Sequence, residues 1–511
     1  MTKNKRMTVI LASALSLTTA LAGCSTDAGS TGSGGTAAPD KEAKPTALNI
    51  MLELTLADPP GEDNPVKLEI EKRTNTKLNF SWVSSNNYGD KQNVTLASGD
   101  IPEMMLVLDP YHPQVLSMAK QGAFWDLTAQ VKNYPNLSKF PEETWSGIAI
   151  DGKYYGIPRS RALIGGENIP LIRKDWLDQL GLKVPVTMDD MYNVMKAFTD
   201  KDPDGNGKKD TIGFTGFVAA EGMGQFDWVE NTFNGSNGRW KAKDGQLLDT
   251  YTGKETRDAL VWLNKAYAEG IISPDFPTLK NSQVRENITT NKAGMFADAM
   301  NPSWLLTGQM RKANPKADVM PLTYLEGPNG KYAPKNIGSY GMFVIPKSVP
   351  EAKVKQILQF MDYGASEEGW VLANYGLKDI HYTEKDGLKT TNEQAIKDKV
   401  NAYGWIFANL DKYQRGYQSG IPADFMDRNR TIIDERAKVA IPNPAIGLIS
   451  DTATKVGKEY DKKIQDMKTK VIMGREPITA WDDFIAKLKT EPDYQKIVKE
   501  INEEYAKRVK K

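Results

Sequence analysis

ALNIMLEL, Ala47 to Leu54, is the stretch that sets the fold class: a strand-like apolar run that opens the folded part of the chain. PVKLEIEKRT, Pro65 to Thr74, follows it and reads as a helix. LNFSWV, Leu78 to Val83, alternates Leu78, Phe80 and Trp82 with polar residues, the period of a half-buried strand. Ile101 to Leu108, after the turn Ser98-Gly99-Asp100, is an apolar run consistent with a buried strand. Strands alternating with helices give an α/β fold with a largely parallel sheet.

Helices dominate the middle and the end. Arg173 to Leu180 is a short helix stopped by Gly181. Thr187 caps another that runs to about Phe198, with Asp190 as the capping-box partner. Glu255 to Ala268 carries Leu260, Leu263 and Tyr267 on one face and stops at Gly270. Pro350 starts a helix with Val354, Ile357, Leu358 and Met361 inward. Lys455 to Ile472 stops at Gly474, and Trp481, Phe484, Ile485 and Leu488 form a helical stripe. No repeat of solenoid period is present.

The chain has 511 residues, 40% of them hydrophobic and 26% charged, enough to build more than one core. Its 66 basic and 65 acidic residues give no basic footprint, so nucleic acid is not expected as a partner. Cysteine occurs once, so no intrachain disulfide can form, and with two histidines, His112 and His381, a multi-histidine zinc site is not expected. Both histidines are expected to be structural.

Residues 1–23 read as a signal peptide. Lys3, Lys5 and Arg6 precede a short stretch of apolar and small residues, Val9 to Leu21, well under the roughly 20 apolar residues that span a bilayer. The stretch ends in Leu21-Ala22-Gly23-Cys24, which resembles the lipobox of bacterial lipoproteins. The resemblance implies that Cys24 is lipidated at sulfur and becomes the N-terminus. Several acyl chains would then anchor the protein stably, at about 0.8 kcal/mol per buried methylene. Residues 24–47, rich in Ser, Thr, Gly, Ala, Pro and Lys, are expected to form a flexible tether. The location implied is extracytoplasmic, with the lipid as the only membrane contact.

Six stretches carry a more specific resemblance: LASGDIPEMM (Leu96 to Met105), GKYYGIPR (Gly152 to Arg159), IRKDWLDQLGLKVPVTMDDM (Ile172 to Met191), the DPDGNGKKD loop, NYGLKDIHYT (Asn374 to Thr383) and GREPITAWDDF (Gly474 to Phe484). In their order and spacing they resemble the family 1 extracellular solute-binding proteins of ABC importers, in particular the alginate-oligosaccharide-binding and LipO-type members. The resemblance implies a two-lobed, periplasmic-binding-protein-like fold of type II, with hinge crossovers near 164–172, 338–345 and 392–403. Lobe 1 would comprise 48–165 and 345–395, and lobe 2 would comprise 170–337 and 400–511. It also implies a monomer that captures an oligosaccharide between the lobes and delivers it to separate permease subunits, without catalysis.

Asp202-Pro-Asp204-Gly-Asn206-Gly207-Lys208-Lys-Asp210 places side-chain oxygens at positions 1, 3, 5 and 9 of an EF-hand-like loop, with Gly207 at the turn and the Lys208 carbonyl at position 7. A structural calcium ion is expected there; the alternative is a solvated polar turn. The loop departs from the EF-hand at position 12, where Gly213 replaces the bidentate Glu. It departs from the alginate-binding relatives at Thr211, where they carry an acidic residue.

Sugar binders stack rings on flat aromatics and hold hydroxyls with polar groups. Trp176, Trp262 and Trp481 lie in helical patterns and belong to cores. Trp228, Trp240, Trp304 and Trp405 lie outside clear amphipathic helices, and Tyr340 sits at the second crossover. Each is a candidate either for ligand stacking or for packing. Arg159 and Arg161 could hold a uronate carboxylate bidentately, or form an interlobe ion pair. Two other functions compete. A binding protein for a non-sugar solute such as a peptide would share this organisation. An extracellular glycoside hydrolase would need a carboxylate pair across a cleft, which sequence alone does not exclude.

Overall fold

The computed structural model describes residues 44–166, 168–407, 411–417 and 419–509. The expected signal peptide, Cys24 and the expected tether up to residue 43 lie outside them. Two mixed sheets organise the body, built from β1 (Thr46–Leu54), β2 (Thr76–Ser84), β3 (Met104–Val107), β4 (Gly156–Ser160), β5 (Ile169–Arg173), β6 (Ile212–Phe214), β7 (Ala293–Asp298), β8 (Val319–Pro321) and β9 (Ser339–Val344).

The first sheet has the order β2-β1-β3-β9-β4. β1 is buried on both faces from Ile50 to Leu54, which explains a run that is apolar except at Glu53. It pairs in parallel with β2, Ile50 opposite Phe80, and with β3, Ile50 opposite Met104. β9 then reverses direction and runs antiparallel to both β3 and β4. The second sheet has the order β8-β5-β7-β6, and β5 is antiparallel to both its neighbours; β6 and β7 are parallel. The expectation of a largely parallel sheet therefore holds for β1, β2 and β3 and fails in the second sheet. Alternation of strand and helix in sequence does not fix direction once the chain leaves one sheet and returns to it.

Each sheet has its own core. Leu52, Leu106, Ile157, Phe343 and Ile357 pack in the first; Trp176, Phe198, Phe214, Leu263 and Trp481 pack in the second. The chain leaves the first sheet after β4, builds the second, and returns at β9, ahead of the expected residue 345. It then stays longer than expected. Val400, Tyr403, Ile406 and Phe407 all pack into the first core, although the second lobe was expected to resume at 400. The four residues sit in a short 3-10 turn and its exit, a conformation whose periodicity does not reveal which core it serves.

Local rules hold well. The helix Pro65–Thr74 has the expected bounds. Thr187 caps the helix Met188–Asp200: its Oγ1 accepts from the Asp190 amide and the Asp190 carboxylate accepts from the Thr187 amide, both at 3.0 Å. Pro350 precedes the helix Glu351–Gly364, and the stripe through Trp481 and Leu488 lies on the helix Ile478–Leu488. No helix among the described residues is long and apolar enough to cross a membrane.

Candidate functional site

The junction of the two lobes is built around a bulge in β9. Between Ser339 and Met342 its pairing with β4 shifts register, and Gly341 takes φ +76°. A Cβ on Gly341 would lie 2.2 Å from the Val107 carbonyl oxygen, so the bulge requires glycine there. The neighbouring Tyr340 side chain points toward Glu53 of β1, its hydroxyl 3.4 Å from Glu53 Oε2.

Arg159, on β4, lies with its guanidinium 4.4 Å from the centre of the Trp405 ring. Its Nε donates to the Trp405 carbonyl at 2.9 Å and an Nη donates to the Gly404 carbonyl at 3.3 Å. Arg161 lies 3.9 Å from the centre of the Tyr340 ring. Tyr340 and Trp405 meet edge to face at 5.7 Å. Arg415 brings a third guanidinium close enough to act electrostatically on the other two. Burial first, and then the neighbouring guanidinium groups, push Arg159 down to about 10 and Arg161 to about 9, so both stay cationic at neutral pH. Among the described residues neither Arg159 nor Arg161 forms an ion pair, and Arg161 Nε is buried without a partner. Of the two readings of this pair, an interlobe ion pair is not what the structure contains.

Arg415 lines one of two adjoining cavities, about 530 and 510 Å³, that share Trp370, Tyr375 and Tyr417 as walls. One side comes from the helix Glu367–Tyr375, which packs on the first core; Asn374 joins its aromatics there. The facing side comes from Asn301, Gln414 and Arg415 and from the helix Ala423–Val439, whose Ile432 and Ile433 pack in the second core. Trp370 and Tyr375 are 5.6 Å apart at 72°. Half-buried aromatics interleaved with amides suit a hydroxylated ring with one apolar face.

The structure sorts the sequence candidates. Tyr340, Trp405, Arg159 and Arg161 come together, next to Arg415. Trp304 is half-buried, packs edge-on to Phe425 at 5.0 Å and follows the cavity residue Asn301. Trp228 is a correction: it lies in the helix Asp227–Asn234 and is buried against Phe214 and Trp262. Trp240 is another, buried at the start of a hairpin with Arg239 stacked on it. Both helix and hairpin are too short for a periodic signature. His381 is buried, with Nε2 2.9 Å from Asp398 Oδ2 and Nδ1 accepting from the Leu377 amide.

The loop Asp202 to Asp210 gathers its carboxylates around Asn206. Asp202 Oδ2 accepts from the Gly207 amide at 2.8 Å, and Asn206 Nδ2 donates to Asp204 at 2.9 Å and Asp210 at 3.1 Å. Burial and the adjacent Asp202 hold the Asp204 carboxyl above its ordinary range. One amide nitrogen thus stands between two carboxylates, with Asp202 held by backbone amides beside them, where a divalent cation would neutralise far more charge. Asp202, Asp204, Asn206, Asp210 and the Lys208 carbonyl are the oxygens available, and the donor set fits calcium. Among the described residues no group of three or more His, Cys, Asp or Glu side chains stands where it could hold a metal ion. The missing Glu at position 12 has a steric cause: a Cβ on Gly213 would lie 2.4 Å from the Met195 carbonyl oxygen.

Two lobes, each with its own sheet and core, and an aromatic and amide-lined cleft between them define a two-lobed solute-binding protein. The chain belongs to the bacterial extracellular solute-binding protein family, whose model matches residues 56–369. It is similar to lipoprotein LipO of Bacillus subtilis, 33% identical over 469 residues that cover 90% of this chain and 92% of LipO. It is also similar to the polygalacturonan/rhamnogalacturonan-binding protein YtcQ of Bacillus subtilis, 31% identical over 98% of this chain and 99% of YtcQ. Among solved structures, an EF-hand mutant of the Streptococcus pneumoniae ABC-transporter substrate-binding protein FusA, in complex with fructo-nystose, shares the fold. The TM-score is 0.67 at 20% identity, over 91% of this chain and all of that one.

Proposed function

We propose that this protein is an extracytoplasmic, lipid-anchored receptor that captures an acidic oligosaccharide and passes it, unmodified, to the permease of an ABC importer. The observation that carries the reading is the set of three guanidinium groups gathered at the lobe junction, Arg159 and Arg161 without ion-pair partners and both next to Arg415. Crowded buried cations are stabilised by an incoming anion, and a planar fork matches a uronate carboxylate. The aromatic walls of Trp370, Tyr375 and Tyr417 would take the sugar faces. The substrate range stated for YtcQ supports an acidic glycan. Closure would occur by hinge motion at the crossovers between the lobes, and the closed form would be what the permease recognises.

Calorimetry with an oligogalacturonide, a neutral oligosaccharide and an acidic peptide tests this. Heat with the oligogalacturonide well above that with the neutral oligosaccharide, and none with the peptide, is the expected result. Heat with the peptide alone would move the protein to another solute class, and shortened saccharide after long incubation would make it an enzyme.

Two attributes of this receptor have their own tests. Cys24→Ala is expected to leave the membrane fraction or to remain uncleaved, as fractionation and N-terminal mass would show; a processed, membrane-bound variant contradicts the anchor. Calcium in the Asp202 to Asp210 loop is expected to pin the end of the helix Met188–Asp200 to β6; an EF-hand is also named for FusA. A chelator should lower the melting temperature of the wild type and leave Asp204→Ala unaffected. Equal chelator sensitivity in both would place the metal elsewhere.

A further inference from the structure

A third cavity, about 270 Å³, lies within the second lobe, on the helix Asp227–Asn234, the turns at 222–224, 237–239 and 250–251, and Asn443. Its walls are polar, and several of their hydrogen-bonding groups are left over. Asn231 Oδ1 is taken by the Gly238 amide at 3.1 Å and Asn443 Oδ1 by the Ala445 amide at 3.0 Å, so each presents its Nδ2. Asn237 spends its Nδ2 on the Lys335 carbonyl at 2.9 Å and presents its Oδ1. Glu230 is 5% exposed; Oε2 holds the Lys468 ammonium at 2.7 Å, while Oε1 is buried without a partner.

Leftover donors and acceptors side by side select the ligand. A carboxylate would meet Glu230 and Asp227, and a bare cation would meet two amide NH2 groups and Arg239, while Asp227 already has a partner. A hydroxyl both donates and accepts, so several hydroxyls on one ring can satisfy both kinds of group at once. We infer that this cavity holds one neutral sugar ring, so that the glycan captured by the protein carries a neutral unit as well as a uronate. The second half of that statement rests on the acidic-glycan reading; the cavity does not. The two sites are close along the chain. Gly165 packs against Arg415, and three residues on, Asn168 Nδ2 donates at 3.1 Å to the carbonyl of Gly224, on the cavity rim.

Ligand-observed NMR with galactose, glucose, rhamnose and xylose as neutral probes, and galacturonate as the acidic one, tests the assignment. At least one neutral sugar is expected to bind the wild type and to bind about tenfold more weakly, about 1.4 kcal/mol, to Asn443→Ala and to Tyr251→Phe, Tyr251 being a further wall of the cavity. The second variant removes only a hydroxyl and guards against loss of the fold. Arg161→Ala should weaken galacturonate and leave the neutral sugar alone. No binding of any of the four neutral sugars, or loss of neutral-sugar binding in Arg161→Ala instead of Asn443→Ala, overturns the inference. Failure of galacturonate alone would sink the acidic reading and leave the cavity assignment standing.

Discussion

An Arg161→Ala protein is expected to bind oligogalacturonides at least about thirtyfold more weakly, a loss of about 2 kcal/mol or more, while its unliganded form becomes no less stable. The two outcomes are linked. Arg161 lies over Tyr340 with two other guanidinium groups nearby and no ion-pair partner of its own. Burial and those like charges disfavour its charged form in the folded state. Removing it relieves repulsion in the empty protein and withdraws a charge-assisted contact from the filled one. Arg161→Lys keeps the charge but loses the planar fork, so it should fall between. Arg159 is a poorer test, because it also binds the carbonyls of Gly404 and Trp405 and its loss would loosen that turn. Calorimetry together with melting curves separates the cases. A variant that loses stability and affinity together would recast Arg161 as a structural residue.

Lys468→Ala is expected to destabilise the second lobe by about 3–5 kcal/mol, the cost of leaving a buried carboxylate uncompensated. Lys468 and Glu230 have side chains 1% and 7% exposed, and the ammonium sits 3.8 Å from the centre of the Tyr251 ring. Burial pushes the Lys468 ammonium down from its ordinary range, and Glu230 opposes that shift. Neutralising both partners should restore most of the loss, because the penalty comes from the unpaired charge and not from an absent attraction. Urea denaturation of the single variant and of Lys468→Met with Glu230→Gln provides the comparison. A single variant with the wild-type midpoint would mean that the lobe relaxes enough to hydrate Glu230.

Much of the fold was legible because it obeys local rules. β1 and β2 extend the expected runs by a residue or two, the Thr187 capping box forms, and the stripes through Leu263 and Trp481 face a core. What sequence could not supply was the relation between lobes. Helical or strand periodicity marks the face buried in a residue's own lobe and is silent on the face turned to the other. Trp370, Tyr375 and Tyr417 went unnoticed for that reason, as did Arg415, in a short 3-10 turn. Trp228 and Trp240 were misjudged because their elements are brief. Arg159, Arg161, Tyr340 and Trp405 were singled out through proximity to expected crossovers, a topological cue rather than a chemical one.

β9 has a consequence for how the chain acquires its shape. It is the strand between β3 and β4, yet it is made some 180 residues after β4, a gap read from Ser160 to Ser339. Until it arrives, β4 has no neighbour in its sheet and the first core lacks Phe343, Ile357 and Phe407. A growing chain therefore stays without a finished lobe for most of its synthesis, and pairings this distant in sequence close slowly. Delayed folding suits a polypeptide that must be threaded across a membrane before it becomes compact.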